Sequence, residues 1–371
     1  MGGRRRAVEG MVAPMLDFYR GKRVFVTGHT GFKGSWLCMI LSMAGAEVTG
    51  FALPPVSGPN LYQIALIEEW IDSRFGDIHS FDALKAAFDA ARPEVVFHLA
   101  AQPIVREGYR DPVGTYATNV MGTVHLLECV RQCGSVKSVL NVTTDKVYRN
   151  NEWCWGYRET DELGGFDPYA SSKSCSELVT ESYRNSFLTE KGVAVSTARA
   201  GNVIGGGDFA KDRIIPDCVR AALAGETIQI RNPYSVRPYQ HVLEALSAYL
   251  LIAERQYEDM SIAGSYNVGP DECDCVTTGA LATLFCKAWG DRMCWEDVGN
   301  GKGPHEANFL RLDYSKIRTV MGWQPKWDVE RAVAETVDWT KVWRFGKDER
   351  GCMERQIKKY FSEETPNGAI H

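Results

Sequence analysis

The sequence predicts an α/β fold: a doubly wound parallel sheet, Rossmann-like, with a smaller mixed α/β substrate-binding domain. From residue 22 onward, short apolar runs alternate with amphipathic stretches, which is the pattern of strand–helix–strand units. The apolar runs are nearly continuous, as expected for strands that helices cover on both faces. A glycine-rich segment follows the first run, at the place where such sheets bind dinucleotides.

The predicted elements follow one another in the order that a parallel sheet requires. Strands are predicted at residues 23–28, 47–53, 94–100, 138–144 and 193–201, with one more expected just before "FGDIHS" (75–80). Helices are predicted at residues 34–46, 116–133, 169–187 and 242–256. Because helices lie between successive strands, neighbouring strands should run parallel.

The chain is predicted to form two domains, each built from separate stretches of sequence. After Asn202 the alternation gives way to glycine-rich segments such as "GNVIGGGD", while 242–256 has the pattern of a helix that returns to the first domain. We predict a disordered tail at 1–16, an NAD-binding domain at 17–202 with 235–268, and a substrate-binding domain at 203–234 with 269–360 that closes over the strands' carboxyl ends.

Composition excludes several classes of protein. The chain has 371 residues, of which 44% are hydrophobic and 24% charged, as in ordinary globular proteins. A net charge of -5 argues against binding to nucleic acid or to an anionic membrane. The 11 scattered cysteines without a secretory signal predict reduced thiols and a cytoplasmic location. Cys273 and Cys275 lack a second pair of ligands, so no metal site is predicted.

The segment after the first strand has glycines at a spacing that suits a bound pyrophosphate. Gly28, Gly31 and Gly34 form Gly-x-x-Gly-x-x-Gly, with Phe32 at the start of the predicted helix. Glycines allow the tight turn and a close approach of backbone to phosphate, and the helix N-terminus favours negative charge. The spacing differs from the common Gly-x-Gly-x-x-Gly. The prediction of a dinucleotide site therefore depends on the position of these glycines, between the first predicted strand and the first predicted helix.

The second strand lacks the acidic residue that usually binds the adenosine ribose. It ends in "FALPP" (51–55), without that anchor and without an arginine in its place, so NAD is favoured over NADP only weakly by this segment. Asp77 has two interpretations that the sequence does not separate: it caps the next helix, or it binds the adenine amine.

Three side chains are expected to meet at the carboxyl edge of the sheet. Tyr169 and Lys173 are four residues apart at the start of a predicted helix and so share one face. An ammonium beside a phenol favours the phenolate, so we expect the pKa of Tyr169 to be lowered toward a value useful for a general base. Thr144 ends the preceding strand. Together they indicate hydride transfer at a carbinol carbon.

These motifs, with "HLAAQ" (98–102), resemble the extended short-chain dehydrogenase/reductases that act on nucleotide sugars. "GHTGFKGSWL", "TTDKVY", "WGYRE", "DPYASSK" and "RAGNVIGGGD" are most similar to the branch that dehydrates CDP-glucose, and the resemblance covers residues 17–345. It implies a homodimer that packs through residues 116–133 and 169–187. It also implies NAD as cofactor, held by Gly28, Gly31, Phe32, Gly34, Asp77, Ile78, Leu99, Ala100, Ala101, Tyr169 and Lys173.

The resemblance gives Asp145 and Lys146 a chemical role. Oxidation and 4-epimerisation need only Thr144, Tyr169 and Lys173, whereas loss of water also needs an acid and a base. The resemblance implies Asp145 as the acid, with a raised pKa, and Lys146 as the base. The related dTDP-glucose branch has Asp-Glu here. A plain Asp–Lys ion pair at the strand end is the alternative.

The resemblance also implies a diphosphate site and a reaction. Asn202, Arg213, Arg237 and His305 are expected to bind the substrate, and arginine suits a diphosphate because it donates two hydrogen bonds at once. The expected reaction converts CDP-D-glucose to CDP-4-keto-6-deoxy-D-glucose and water. The alternatives are another NAD-dependent 4,6-dehydratase or 4-epimerase, and a dinucleotide-binding regulator without activity.

Overall fold

The computed structural model describes residues 14–55, 58–299 and 309–363. Most of the predicted tail, residues 1–13, and the predicted substrate ligand His305 lie outside the described residues. Residues 14–16, which the sequence prediction placed in the tail, belong to a short helix, α1 (Pro14–Asp17), and Leu16 is buried. No helix in the described part of the chain is long and apolar enough to cross a membrane.

The centre of the molecule is a parallel sheet of seven strands. Its spatial order is β3-β2-β1-β4-β5-β6-β11, and every neighbouring pair is parallel. This is the doubly wound arrangement, whose direction of winding reverses between β1 and β4. The predicted fold class is confirmed. The seven strands are β1 (Arg23–Thr27), β2 (Glu47–Ala52), β3 (Asp72–Phe75), β4 (Val95–His98), β5 (Ser138–Val142), β6 (Ala194–Ala200) and β11 (Ser265–Val268).

Helices cover both faces of this sheet, which explains why its central strands β1, β4 and β5 are largely apolar and buried, whereas the edge strand β3 is polar and partly exposed. One core cluster joins α2 and α10 to β1, β5 and β6, and a second joins α4 and α7 to the other face. These helices are α2 (Phe32–Met43), α3 (Leu61–Ile64), α4 (Phe81–Ala91), α5 (Val105–Arg110), α6 (Pro112–Tyr116), α7 (Gly122–Arg131), α8 (Pro168–Tyr183) and α10 (Val242–Glu258). Five-residue π-helical turns follow α6 (Ala117–Met121) and α8 (Arg184–Leu188).

The remaining elements are small two-stranded sheets and helices, most of which pack around a third core cluster that includes Ile215, Ile228, Phe285 and Val333, whereas α12 and α14 belong to the first cluster. β8 pairs with β13 in parallel, β9 with β12 antiparallel, and β7 with β10 in parallel. The strands are β7 (Val203–Ile204), β8 (Ile228–Ile230), β9 (Val236–Pro238), β10 (Gln240–His241), β12 (Cys275–Thr277) and β13 (Trp295–Asp297). The helices are α9 (Ile214–Ala224), α11 (Thr278–Trp289), α12 (Ser315–Met321), α13 (Val329–Arg344) and α14 (Glu349–Ser362).

Two features differ from or extend the sequence prediction. β11 is a seventh strand of the main sheet, although its sequence, "SYNV", was expected to lie in a glycine-rich region without a clear strand. It is only four residues long, so its apolar pattern is too short to stand out. α10 packs against β5, β6 and α2, as expected for a helix that returns to the first part of the chain.

Candidate active site

The glycine-rich loop lies between β1 and α2, beside the end of β4. Gly28 has a positive φ of 77°, and a methyl group there would lie 2.7 Å from the amide nitrogen of Ala100. A methyl group on Gly34 would lie 2.1 Å from the carbonyl oxygen of Gly28. The loop therefore needs glycine at both positions, and it leaves the backbone open to a bound group.

The first turn of α2 is suited to an anion. Gly31 is its N-cap and supplies no side-chain hydrogen bond, so none of the first amides is satisfied in that way. Phe32 is the first helical residue. At the end of β4, the amides of Leu99 and Ala100 both donate to Thr27 Oγ1, at 3.1 Å each, and Ala101 follows them. The structure thus brings this predicted cofactor group together at the point where the sheet reverses its winding.

Asp77 and Ile78 lie at the next strand end, beyond β3. Asp77 Oδ1 accepts a hydrogen bond from the amide of His79 at 2.9 Å, and the N-cap of α4 is Ser80. The interpretation of Asp77 as the helix cap is therefore wrong, and its half-exposed carboxylate is accessible to a ligand. Ile78 is buried, and its carbonyl oxygen accepts from His125 Nδ1 at 2.9 Å.

The five predicted catalytic residues meet where β5 ends against α8. Thr144 is the N-cap of a short 3-10 turn, Asp145–Val147, and its hydroxyl donates to Asp145 Oδ1 at 3.0 Å. Tyr169 and Lys173 lie one turn apart in α8. Lys173 Nζ donates to the carbonyl oxygen of Val142 at 3.0 Å, which holds α8 against the end of β5.

Burial sets the protonation of this group. It raises the pKa of Tyr169 to about 12, although a hydrogen bond with Thr144 acts in the opposite direction. It lowers the pKa of Lys173 to about 8. The prediction that the pKa of Tyr169 is lowered is wrong for the protein alone, because Lys173 points to the Val142 carbonyl and burial outweighs the neighbouring charges.

Asp145 has the environment expected of a general acid. Its side chain is buried, and burial raises the pKa of the carboxyl group, while the charge of Lys146 acts against that shift. Within the described ranges, Asp145 Oδ2 has no hydrogen-bond partner and Lys146 forms no ion pair. A closed Asp145–Lys146 ion pair, the alternative that the sequence left open, is therefore not present among these residues.

The predicted substrate residues approach the same edge from the other half of the chain. Asn202 follows β6, and its carbonyl oxygen accepts from the amide of Gln240 at 3.0 Å. Arg213, just before α9, donates to Asp208 Oδ2 at 3.0 Å, and its charge acts to lower the pKa of Tyr169. Arg237, in β9, acts in the same way on the pKa of Asp145. The positive charges of both arginines thus interact with residues of the catalytic group.

The sequence analysis missed one residue of this site, Lys33. It is the second residue of α2, and its Nζ donates to the Tyr249 hydroxyl at 3.4 Å. Burial and the charges of Arg213 and Lys173 lower the pKa of Lys33 to about 7, while Asp145 acts in the opposite direction. A signal was available in the sequence, because Lys33 directly precedes the mostly apolar run "GSWLCMIL" (34–41), and a lysine beside a segment expected to be buried is unusual.

Comparison with known proteins agrees with this architecture. The chain belongs to the GDP-mannose 4,6 dehydratase family, whose model matches residues 25–336. A CDP-glucose 4,6-dehydratase of Salmonella typhimurium is 47% identical over 359 residues, which cover 95% of this chain and 100% of that protein. The family that the sequence predicted is confirmed.

Solved structures give the same fold. A Thermus thermophilus UDP-glucose 4-epimerase in complex with NAD has a TM-score of 0.73 and 26% identity, covering 86% of this chain and 98% of the epimerase. A Bacillus anthracis dTDP-glucose 4,6-dehydratase in complex with NAD has a TM-score of 0.72 and 24% identity, covering 86% and 96%.

Proposed function

We propose that this chain converts CDP-D-glucose to CDP-4-keto-6-deoxy-D-glucose and water, with NAD as a cofactor that is restored in each cycle. The observation that carries the proposal is the buried Asp145 beside Lys146, adjacent to Tyr169 and Lys173. A simple oxidation or epimerisation has no use for that acid and base. The 47% identity to a CDP-glucose 4,6-dehydratase supports the same substrate.

The cofactor is assigned to the glycine loop and the neighbouring strand ends. Gly28 and Gly34 leave a cradle that a methyl group would fill, and the start of α2 offers amides to a pyrophosphate. Bound there, NAD would accept and later return one hydride. We assign to this site Gly28, Gly31, Phe32, Gly34, Asp77, Ile78, Leu99, Ala100, Ala101, Tyr169 and Lys173.

The protein's own side chains would move the protons. Tyr169, hydrogen-bonded to Thr144, takes the proton of the sugar 4-hydroxyl while C4 gives up its hydride, and the resulting ketone acidifies the hydrogen on C5. Lys146 removes the C5 proton, and a proton is returned to C5 when the hydride returns to C6, which completes the 4-keto-6-deoxy product. Asp145, whose pKa is raised by burial, gives its proton to the 6-hydroxyl, which leaves as water. Asn202, Arg213 and Arg237 bind the diphosphate, and His305 completes the assignment.

A substrate panel tests the proposed function. Incubation with CDP-, UDP-, GDP- and dTDP-glucose, followed by mass spectrometry, should give a product one water lighter from CDP-glucose. A product of unchanged mass that differs from glucose at C4 would indicate an epimerase. Turnover of none of the four would indicate a regulator without activity, and a lighter product from another nucleotide alone would overturn the choice of base.

A single substitution tests the role of Lys146. Lys146→Met should leave oxidation at C4 intact and stop elimination, so reduced cofactor should accumulate on the enzyme when CDP-glucose is added. Product formation should fall by at least about 100-fold, the usual contribution of a general base. The spectrum of the reduced nicotinamide and the rate of product release are the measurements. Full dehydratase activity in this variant would remove Lys146 from the mechanism.

We also propose a cytoplasmic homodimer that pairs through the α6–α7 and α8 regions. Large apolar side chains are exposed there, including Met121, which is 46% exposed, and Leu178, which is 54% exposed. Such exposure in neighbouring helices favours burial against a second copy. Leu178→Arg should halve the mass measured by light scattering. Phe345→Arg should leave the mass unchanged, because Phe345 is an exposed apolar residue directly after α13, outside the proposed interface. An unchanged mass for Leu178→Arg would contradict this interface.

A further inference from the structure

The short segment Thr143–Tyr148, which carries Asp145 and Lys146, is tied at both ends to a buried ion pair. At the first end, the Thr143 hydroxyl donates to Glu177 Oε1. At the other, the Tyr148 hydroxyl accepts from Arg199 Nη1 at 2.8 Å. Arg199 Nη2 donates to Glu177 Oε2 at 2.9 Å, so one continuous set of hydrogen bonds joins the two ends.

The ion pair at the centre of this set is almost completely buried. The Arg199 and Glu177 side chains are 4% and 2% exposed. Thr197 also donates to Glu177 Oε2, at 2.7 Å, and Arg199 also donates to the carbonyl oxygen of Glu159, at 3.1 Å. A buried ion pair is costly to desolvate and is weak evidence for added stability, so a role in fixing geometry is a reasonable hypothesis for it.

The network connects the acid–base segment to α8, the helix that carries Tyr169 and Lys173. Glu177 lies in α8, one turn beyond Lys173. Ser174 of the same helix donates to the carbonyl oxygen of Val147 at 2.8 Å, so the segment has this direct connection to α8 as well as the one from Thr143. The residues for elimination and those for hydride transfer are therefore positioned from one helix, as two steps on one sugar ring require.

Asp145 depends on these connections because few others hold it. Its Oδ1 accepts from the adjacent Thr144, and its Oδ2 has no partner within the described ranges. The carboxyl group is thus placed by the path of the backbone between Thr143 and Tyr148. A shift of that backbone would move the acid and the base relative to the sugar without any change in their own contacts.

We propose that Glu177, Arg199 and Tyr148 are positioning residues that set Asp145 and Lys146 for the elimination step. This inference deepens the proposed dehydratase function and rests on it. The residues act through the segment they hold, so their loss should slow elimination more than oxidation at C4.

Tyr148→Phe is the main test, and it removes a hydroxyl that accepts from Arg199 and also donates to Asn267 Oδ1 at 2.6 Å. It removes the hydroxyl but keeps the ring that stacks on Tyr157, with ring centroids 5.1 Å apart, so the fold should survive. We expect kcat for dehydration to fall about tenfold with a KM within about twofold of the wild type, since small misplacements of reacting groups cost one to two orders of magnitude. Reduced cofactor should accumulate during turnover, as it does when elimination becomes the slow step.

Tyr19→Phe is the matched control. Its hydroxyl is also buried and donates to the Leu250 carbonyl oxygen at 2.6 Å, in another part of the molecule. It should lose comparable thermal stability and show neither the fall in kcat nor the reduced cofactor. If Tyr148→Phe behaves as Tyr19→Phe does, or loses oxidation and elimination equally, the positioning role is wrong.

A measurement without substrate separates this inference from the proposed function. Hydrogen–deuterium exchange in the peptide that contains residues 143–148 should be faster in Thr143→Val and in Tyr148→Phe than in the wild type. Thr143→Ser keeps the hydroxyl and should restore slow exchange. Unchanged exchange in Thr143→Val would overturn the tether, whereas a wild type that dehydrates no nucleotide sugar would overturn the proposed function while these exchange data stand.

Discussion

At the residue scale, Lys33 changes the charge of the site, because its side chain interacts with several charged residues there and titrates near neutral pH. Its pKa of about 7 means that the ammonium loses its charge between roughly pH 6 and 8. It lies at the start of α2, within the electrostatic influence of Arg213. Its charge therefore adds to the positive field that would hold a diphosphate, and that contribution is present below pH 7 and lost above it.

This predicts a pH-dependent affinity for substrate. The KM for CDP-glucose should rise by about tenfold from pH 6 to pH 8, the equivalent of about 1.4 kcal/mol for one charge-assisted contact. In Lys33→Arg, which stays charged, KM should remain low across this range, and in Lys33→Met it should be high throughout. Steady-state kinetics at several pH values provide the test. The same pH dependence in Lys33→Met and the wild type would assign the titration to another group.

At the scale of elements, the proposed NAD site depends on the β1–α2 loop, whose path is set by close backbone contacts. The loop passes so close to itself that a methyl group on Gly34 would lie 2.1 Å from one backbone atom of Gly28 and 2.8 Å from the Cα of His29. Neither neighbour is a flexible side chain that could move away. At the exposed Gly134, by contrast, a methyl group would meet no atom within 4 Å.

These two glycines give a matched pair of variants. Gly34→Ala should force the loop apart, lower the melting temperature by roughly 2–4 °C and reduce NAD bound per protomer at least tenfold. Gly134→Ala should keep both properties near those of the wild type, because Gly134 lies outside the cofactor loop. Thermal unfolding and the cofactor content of the purified protein are the measurements. Equal loss of NAD in the two variants would indicate that the loop does not act through this close contact.

At the scale of the whole molecule, Glu244 connects distant parts of the chain. It lies in α10, and its Oε1 accepts from the amides of Lys326, at 3.0 Å, and Trp327, at 2.6 Å. Its Oε2 accepts from the Tyr360 hydroxyl, in α14, at 2.7 Å. Burial raises the pKa of Glu244 to about 7. One buried carboxyl group thus joins the main sheet's helix layer to the last helix.

The raised pKa makes stability depend on pH. Between about 4.5 and 7 the folded chain keeps the Glu244 proton that the unfolded chain loses, so the free energy of unfolding falls as pH rises, by up to about 3 kcal/mol. Glu244→Gln should reduce that fall, whereas Glu330→Gln, at an exposed site, should not. Urea unfolding at pH 5 and pH 7 measures both. An identical fall in Glu244→Gln would show that other groups set the pH dependence.

The sequence by itself determined the fold class, the glycine loop and the catalytic motifs, because each depends on local patterns. The apolar runs at 23–27 and 138–142 became β1 and β5, and Tyr169 and Lys173 lie on one helix as their spacing requires. Similarity to known structures confirms the fold, and the family match confirms the class of protein.

Only the tertiary structure decided which protonation states and partners these residues have. Burial raises the pKa of Tyr169, whereas the neighbouring Lys173 had suggested a lowered value. The fold also brings Lys33 within the electrostatic influence of residues more than 100 positions away in the sequence. The hydrogen bonds from Thr143 to Glu177 and from Arg199 to both Glu177 and Tyr148 likewise join four separate positions. Desolvation and long-range contacts arise only when distant segments pack together, so no local pattern could reveal them.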